Sequence, residues 1–304
     1  MDKTTMHNIS ILSLSFSAQA DGLGLTEADV LDLISRNMTG TEDLILLPET
    51  CLGEKINESE DQFLSAIAQL AGKGKTYILI GLYRAETKTT HANSAFLFNR
   101  EGELAFCYDK IYPYLAEFDR TDSVIKPGSR IVFADTDFGR VSTAICFDAN
   151  FSDLWQDIAD VDVDIVLFCS AYSAGSQLSA HALNHHYTIV TATQKPDFAI
   201  YDIDGREITY TRKKHNQVLV SRAVIDMDKV ICHHNFNLDK IAALIHDHPE
   251  KIEIQHDYER EEWCVIRSTS SQISTRKLCR EYGIETLRDY KRRSKKQIDS
   301  LRII

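Results

Sequence analysis

The sequence predicts an α/β domain with layered sheets, followed by a C-terminal extension. Short apolar runs rich in β-branched residues alternate with helical patterns from residue 9 to about 226. Two of these runs, 43–47 and 163–169, are almost continuously apolar, as strands covered on both faces are. No linker rich in Pro, Gly or Ser interrupts the chain before about residue 230, so the alternation belongs to one domain, with 231–304 as the extension.

Residues 9–16, Ile-Ser-Ile-Leu-Ser-Leu-Ser-Phe, alternate apolar and polar and predict a strand. Thr26-Glu27-Ala28-Asp29 reads as a capping-box start with acids in its first turn, and Val30, Leu31, Leu33 and Ile34 supply the apolar face of the helix. Gly22-Leu23-Gly24 ahead of it lacks the third glycine of a dinucleotide fingerprint. Residues 43–49 predict a short buried strand that ends in Pro48 and Glu49. A helix over 59–72, a strand over 77–83 and two strands over 94–98 and 103–110 follow, the last pair joined by the turn Asn99-Arg100-Glu101-Gly102. Lys126-Pro127-Gly128 marks a turn before strands near 131–134 and 140–146. Helix 151–159, strand 163–169, helix 176–187 and strand 188–193 continue the alternation. The unit closes with a strand over 198–202, a turn at Asp204-Gly205 and a longer strand over 218–226. Beyond it the pattern predicts a short helix near 238–247, an irregular polar stretch and a charged helical tail.

Composition bounds the function. Hydrophobic residues at 43% and charged residues at 26% describe a soluble globular chain. Met1 to Asn8 shows no basic region leading into an apolar run, and no apolar stretch approaches the ~20 residues that span a bilayer. Seven cysteines without paired spacing point to reduced thiols and a cytoplasmic location. The net charge of −11 is uneven: residues 276–304 hold ten Lys/Arg against four acids, leaving 24 basic against 41 acidic residues in the rest. So acidic a body excludes general nucleic-acid binding, which needs a basic surface. The basic tail is expected to lie on an acidic surface of its own or a neighbouring subunit; an RNA- or membrane-binding arm around Lys291-Arg292-Arg293-Ser294-Lys295-Lys296 is the alternative.

Three chemistry-bearing residues stand at strand ends: Glu49, Lys110 and Cys146. Singly, each has an ordinary explanation. Glu49 could cap the next helix, Lys110 could be a surface lysine, and Cys146 could be apolar filler. Together they supply an acid, a cation and a thiol, the set that thiol-based acyl chemistry needs. The fragments Leu46-Leu47-Pro48-Glu49, Asp109-Lys110-Ile111-Tyr112 with Glu117 beyond, Ala144-Ile145-Cys146-Phe147-Asp148 and Tyr201-Asp202-Ile203-Asp204-Gly205 resemble, in this order, the nitrilase superfamily of carbon–nitrogen hydrolases.

The resemblance implies a four-layer α-β-β-α sandwich over roughly residues 9–226, within a hydrolase domain spanning 1–230. It assigns Cys146 as nucleophile, Glu49 as general base, and Lys110 with the backbone N–H of Phe147 as oxyanion donors. Glu117 becomes the second glutamate, orienting the lysine or the substrate. It implies no cofactor and no metal, a homodimer or larger homo-oligomer, and an extension packing on the neighbour. The expected reaction is hydrolysis of a small carboxamide or N-carbamoyl compound to acid and ammonia. Alternatives are a true nitrilase, an acyl- or carbamoyl-transferring member, and a non-catalytic ligand-binding or scaffold member.

The chain also departs from the pattern. His181-Ala182-Leu183-Asn184-His185 stands where the family carries Arg-Ala-x-Glu-Asn, which removes an expected buried ion pair. Asn150 occupies the place, four beyond the nucleophile, where members that grip a carboxylate often have arginine, and asparagine offers no cationic fork. Tyr112, Asn150 and Tyr172 are the expected substrate-binding residues, with Tyr114 and Phe147 completing a mostly uncharged cavity. Asp148 is expected to hold the turn after the nucleophile. Cys232-His233-His234, His246-x-His248, His256 and Cys264 fit no zinc spacing, and the histidines are read as surface or interface residues.

Overall fold

The computed structural model describes residues 8–18, 23–57 and 62–302. The expected helix start at Ser59, Gly22 of the incomplete glycine motif, and Met1 to His7 lie outside them. The chain divides into two compact units, one running from Ile9 to Ile225, the other from Asp226 onward together with Asn8.

Elements of the first unit follow the expected alternation: β1 (Asn8–Ser15), α1 (Glu27–Asn37), β2 (Leu44–Leu46), β3 (Ile56–Asn57), α2 (Gln62–Gly74), β4 (Tyr77–Ala85), β5 (Thr90–Phe98), β6 (Leu104–Asp109), β7 (Val124–Ile125), β8 (Phe133–Thr136), β9 (Gly139–Ile145), α3 (Ser152–Asp160), β10 (Ile165–Ser170), α4 (Ser176–His185), β11 (Thr188–Thr193), β12 (Asp197–Tyr201), β13 (Glu207–Arg212) and β14 (Leu219–Asp226). One sheet has the order β14-β1-β2-β4-β5-β6, with β3 and β7 attached to β4 and β5; the other runs β13-β12-β11-β10-β9-β8. The four layers follow from side-chain periodicity. Along β1, Leu12 and Leu14 pack with Val30, Leu33 and Ile34 of α1 and with Phe63, Leu64 and Ile67 of α2. Ser13 and Ser15 point the other way: Ser13 Oγ donates to the Thr191 carbonyl at 3.0 Å, and Ser15 Oγ accepts from Thr193 N–H at 3.0 Å. Since successive strand residues face opposite sides, one strand thereby joins a helix layer to the second sheet. On the far side Trp155 of α3 stacks on His181 of α4, ring centroids 4.3 Å apart.

Thr26 starts α1 as expected. Its hydroxyl accepts from Asp29 N–H, and the Asp29 carboxylate accepts from Thr26 N–H at 2.9 Å. One expectation in this unit is corrected. The strand after the Asp204-Gly205 turn is β13, with an almost wholly exposed pattern that leaves no apolar signal. The stretch 219–226 instead joins the other sheet beside β1.

The second unit contains β15 (Val230–His233), α5 (Leu238–Asp247), β16 (Ile252–Tyr258), β17 (Trp263–Ser268), α6 (Thr275–Glu281) and α7 (Leu287–Leu301). The irregular polar stretch expected after the short helix is therefore wrong: it forms two strands of an antiparallel sheet ordered β15-β17-β16. A bulge between Ile254 and His256 breaks the alternation that would have revealed β16. Val230, Cys232, Ile241, Leu244, Ile252, Cys264, Ile266, Cys279 and Ile284 form its core. Among the described residues no helix is long and apolar enough to cross a membrane.

Candidate active site

The site gathers where strands of both sheets end. β2 runs parallel to β4, and β10 runs parallel to β9 and β11, so the loops after β2, β9, β10 and β11 leave carboxyl ends of parallel strands. Such ends are where α/β sheets place ligands. Glu49 follows β2, Cys146 follows β9, Ala171 follows β10 and Gln194 follows β11, while Lys110 comes directly after β6.

The structure brings Glu49, Lys110 and Glu117 into one buried cluster. Lys110 Nζ donates to Glu49 Oε1 at 2.8 Å and to Glu117 Oε1 and Oε2 at 3.0 and 2.9 Å, with the lysine 1% exposed. The other Glu49 oxygen, Oε2, accepts from Ala171 N–H at 2.7 Å. Burial works against the charge of Lys110, but the negative charges around it, Glu49 foremost, override it and hold its pKa well above the ordinary lysine range. Burial raises the pKa of Glu117 and the Glu49 charge adds to this, against the opposing pull of Lys110. Glu49 is thus no helix cap, and Lys110 no surface lysine.

Cys146 opens a 3-10 turn over Cys146–Asn150 and takes a positive φ of 50°, a backbone setting that non-glycine residues adopt at a cost. Its thiol lies within electrostatic reach of Glu49 and Lys110. Burial pushes the thiol up to about 12, the Glu49 charge raising it further and Lys110 drawing it down. The resting group is therefore a neutral thiol beside a carboxylate. Asp148 fastens this turn: its two oxygens accept from Ile145 N–H at 2.9 Å, Tyr108 Oη at 2.7 Å and Tyr112 N–H at 2.9 Å. Full burial pushes its pKa up to about 7 despite those donors.

The expected substrate-binding residues separate. Asn150, Tyr172 and a residue not anticipated, Gln177, close a ring of uncharged polar groups. Asn150 Nδ2 donates to Tyr172 Oη at 3.3 Å, Tyr172 Oη donates to Gln177 Oε1 at 3.2 Å, and Gln177 Nε2 donates to Asn150 Oδ1 at 2.7 Å. Tyr172 follows Ala171 directly, and burial together with the nearby Cys146 pushes its phenol up to about 12. Tyr112 is instead tied outward, donating from its hydroxyl to Asp153 at 2.6 Å and stacking on Phe151 at 3.7 Å. Phe147 packs edge-on against Tyr114 and Phe151, centroids 5.5 and 5.4 Å away. His181, where the ion-pair arginine was expected, instead sets its Nε2 2.9 Å from the Ala149 carbonyl.

Other supports escaped the sequence reading. Gln194 Nε2 donates to the Glu49 carbonyl at 2.8 Å and to Thr50 Oγ1 at 2.9 Å. Gly81 on β4 lies so close to the Glu49 loop that a Cβ there would sit 2.7 Å from Glu49 Cα and 2.8 Å from the Pro48 carbonyl oxygen. A glycine inside an apolar strand is the signal that could have marked this approach. Asn93 Nδ2 reaches both glutamates, at 2.6 Å from Glu49 and 2.9 Å from Glu117. Among the described residues no group of three or more His, Cys, Asp or Glu side chains is placed to hold a metal ion.

Two sheets back to back, helices outside, and an acid–amine–thiol cluster at strand ends define the class: an α-β-β-α sandwich enzyme of the nitrilase type. The chain belongs to the carbon–nitrogen hydrolase family, whose sequence model matches residues 25–197 of the 304. It is similar to the deaminated glutathione amidase of Yersinia enterocolitica, 24% identical over 215 residues that cover 62% of this chain and 73% of that one. A probable hydrolase of Bacillus subtilis, YhcX, is 28% identical over 149 residues, which is 46% of this chain and only 28% of that protein. Among solved structures, an amidase from Nesterenkonia sp. matches with a TM-score of 0.62 at 16% identity, covering 80% of this chain and 97% of that one. The carbon–nitrogen hydrolase of Helicobacter pylori G27 gives the same TM-score and identity over 73% of this chain and 90% of that one. At such identities these structures establish the shared fold. A variant of the Nesterenkonia amidase, 16% identical with a TM-score of 0.60 over 73% of this chain and 90% of that one, carries the acetamide moiety of fluoroacetamide covalently added at its active-site cysteine.

Proposed function

We propose that this chain hydrolyses a small, uncharged carboxamide to the acid and ammonia through a thioester on Cys146. The observation that supports this most directly is the Glu49 carboxylate, held by Lys110 at 2.8 Å and Ala171 N–H at 2.7 Å, whose charge acts on the Cys146 thiol. A thiol pushed up to about 12 is almost wholly protonated at neutral pH, so its proton must leave as it attacks. Glu49 takes that proton while sulfur bonds to the amide carbon and the C=O π electrons move onto oxygen. Lys110 Nζ and the Phe147 backbone N–H stabilise the oxyanion. Glu49 then passes the proton to the departing nitrogen, the C–N bond breaks, and ammonia leaves a thioacyl enzyme. Water, deprotonated by Glu49, attacks the thioester; the C–S bond breaks, sulfur regains the proton, and the acid departs. Glu117 keeps Lys110 aimed, and its negative charge helps the lysine remain protonated.

The substrate class follows from the Asn150–Tyr172–Gln177 ring. It offers neutral donors and acceptors but no cation, so it suits an uncharged polar amide and gives a carboxylate no fork to bind. The amidase names of the Yersinia and Nesterenkonia relatives agree with amide chemistry. The test is ammonia release across a library of small amides, followed by intact mass. Wild type should accumulate a thioacyl adduct and release ammonia, whereas Cys146→Ala should do neither, with turnover down by at least ~10³. An adduct that persists in Cys146→Ala would overturn the assignment.

A further inference from the structure

The geometry points to Asn93 as a positioning residue that couples Glu49 to Glu117; this rests on the thiol-hydrolase reading above. Asn93 lies within β5, opposite Tyr83 of β4, and its carbonyl accepts from Lys110 N–H at 2.8 Å. It is 1% exposed. Its Nδ2 carries two hydrogens and meets two acceptors from different residues: Glu49 Oε1 at 2.6 Å and Glu117 Oε1 at 2.9 Å. Lys110 Nζ contacts the same two oxygens, at 2.8 and 3.0 Å. The carboxylates are therefore bridged twice, once by a cation and once by a neutral amide.

That second bridge matters because the charges do not balance. Two carboxylates face one ammonium in a buried setting, where an uncompensated charge is costly. A neutral donor favours the ionised form of each carboxylate without adding a charge. Asn93 donates to both, so the neutralisation of the pair does not rest on Lys110 alone. The amide's orientation is forced, since the reverse would set its oxygen against two carboxylate oxygens. The cost is visible in the structure: Asn93 Oδ1 is buried with no hydrogen-bond partner among the described residues. An orphaned buried acceptor is costly, and a residue serving only to fill β5 would have no reason to bear it. Aspartate, of the same shape, would put a third acceptor where the donor is needed.

The experiment follows alkylation of Cys146 by iodoacetamide in the full chain, read by mass of the Cys146 peptide from pH 5 to 10. Asn93→Ala should lower the plateau rate by ~10-fold and move the acid limb up by about one pH unit, because a carboxylate that loses a donor holds its proton to higher pH. Asn93→Asp should move the limb further, and Asn93→Ser, which keeps one donor, should fall between wild type and Asn93→Ala. Thermal unfolding identifies which variants fold, and the serine variant, the least disruptive, keeps the comparison available if another does not. Folded Asn93 variants whose profiles superimpose on that of a reactive wild type would overturn the inference alone. A wild-type Cys146 that is inert at every pH would overturn the thiol-hydrolase reading, and the inference with it.

Discussion

Two buried thiol settings in this chain invite comparison. Cys146, in the first unit, and Cys232 and Cys264, in the second, all have pKa values raised at least in part by burial. Cys232 faces Cys264 directly across β15 and β17, and the neighbouring Cys279 thiol is the foremost cause of its raised pKa, all three lying within an apolar core. Cys146 differs in its neighbours: a glutamate that can accept its proton and a lysine that can hold the resulting charge. Burial is therefore common to both settings and says nothing about reactivity. What separates an inert thiol from a usable one is an acceptor and a cation within reach.

The sharpest way to break the contrast is to remove the cation. Lys110→Met should cut turnover by ~10²–10³ through loss of an oxyanion donor. It should also destabilise the fold by ~3–5 kcal/mol, because Glu49 and Glu117 are left buried without their partner. Denaturant unfolding alongside ammonia release separates the two effects; loss of neither would erase the distinction between the thiol settings.

Asp148 tests the scaffold beneath Cys146. Its carboxyl is pushed up to about 7 in the fold from an ordinary value near 3.8. A raised acid contributes stability that is fully present below about pH 4 and is lost as pH rises to about 7. Relative to Asp148→Asn, which cannot titrate, wild type should lose on the order of 4 kcal/mol of stability across that window. A constant difference between the two unfolding midpoints would show that the three donors to Asp148 keep it ionised throughout.

The smallest effect belongs to the second setting. Cys279→Ala should cost about 1 kcal/mol of stability, the value of a small buried group and the gap it leaves. Turnover should stay unchanged. A thiol in that core that influenced amide hydrolysis would mean that the contrast had been drawn in the wrong place.

How much of this was legible in advance depended on the kind of signal each residue leaves. Glu49, Lys110 and Cys146 interrupt apolar runs at strand ends, so their chemistry stands out against the pattern. Asn93 and Gln194 do not, because a neutral polar residue in or just after a strand looks like any outward-facing position. The Ala171 N–H is invisible by nature, since a backbone donor has no side-chain letter. The layered α/β order was readable from periodicity, whereas β13 and β16 were not. β13 is almost wholly exposed and so has no apolar period, and the bulge in β16 breaks its own. Gln177 was missed for a third reason: its partners Asn150 and Tyr172 lie 27 and 5 residues away, and only folding closes the ring.

The placement of β14 beside β1 has a bearing on how the chain is made. Every residue named in the site precedes Leu219, yet the edge of β1 stays open until β14 arrives. At ~5–20 residues per second, a ribosome needs on the order of ten seconds or more to pass from β2 to β14. During that interval β1 presents an unpaired edge, the kind of surface that recruits other chains. A nascent chain stopped short of Leu219 would hold the whole acid–amine–thiol set and lack the strand that closes its sheet. Pairing of the last strand with the first thus makes the completed sheet a report that synthesis of the unit has finished.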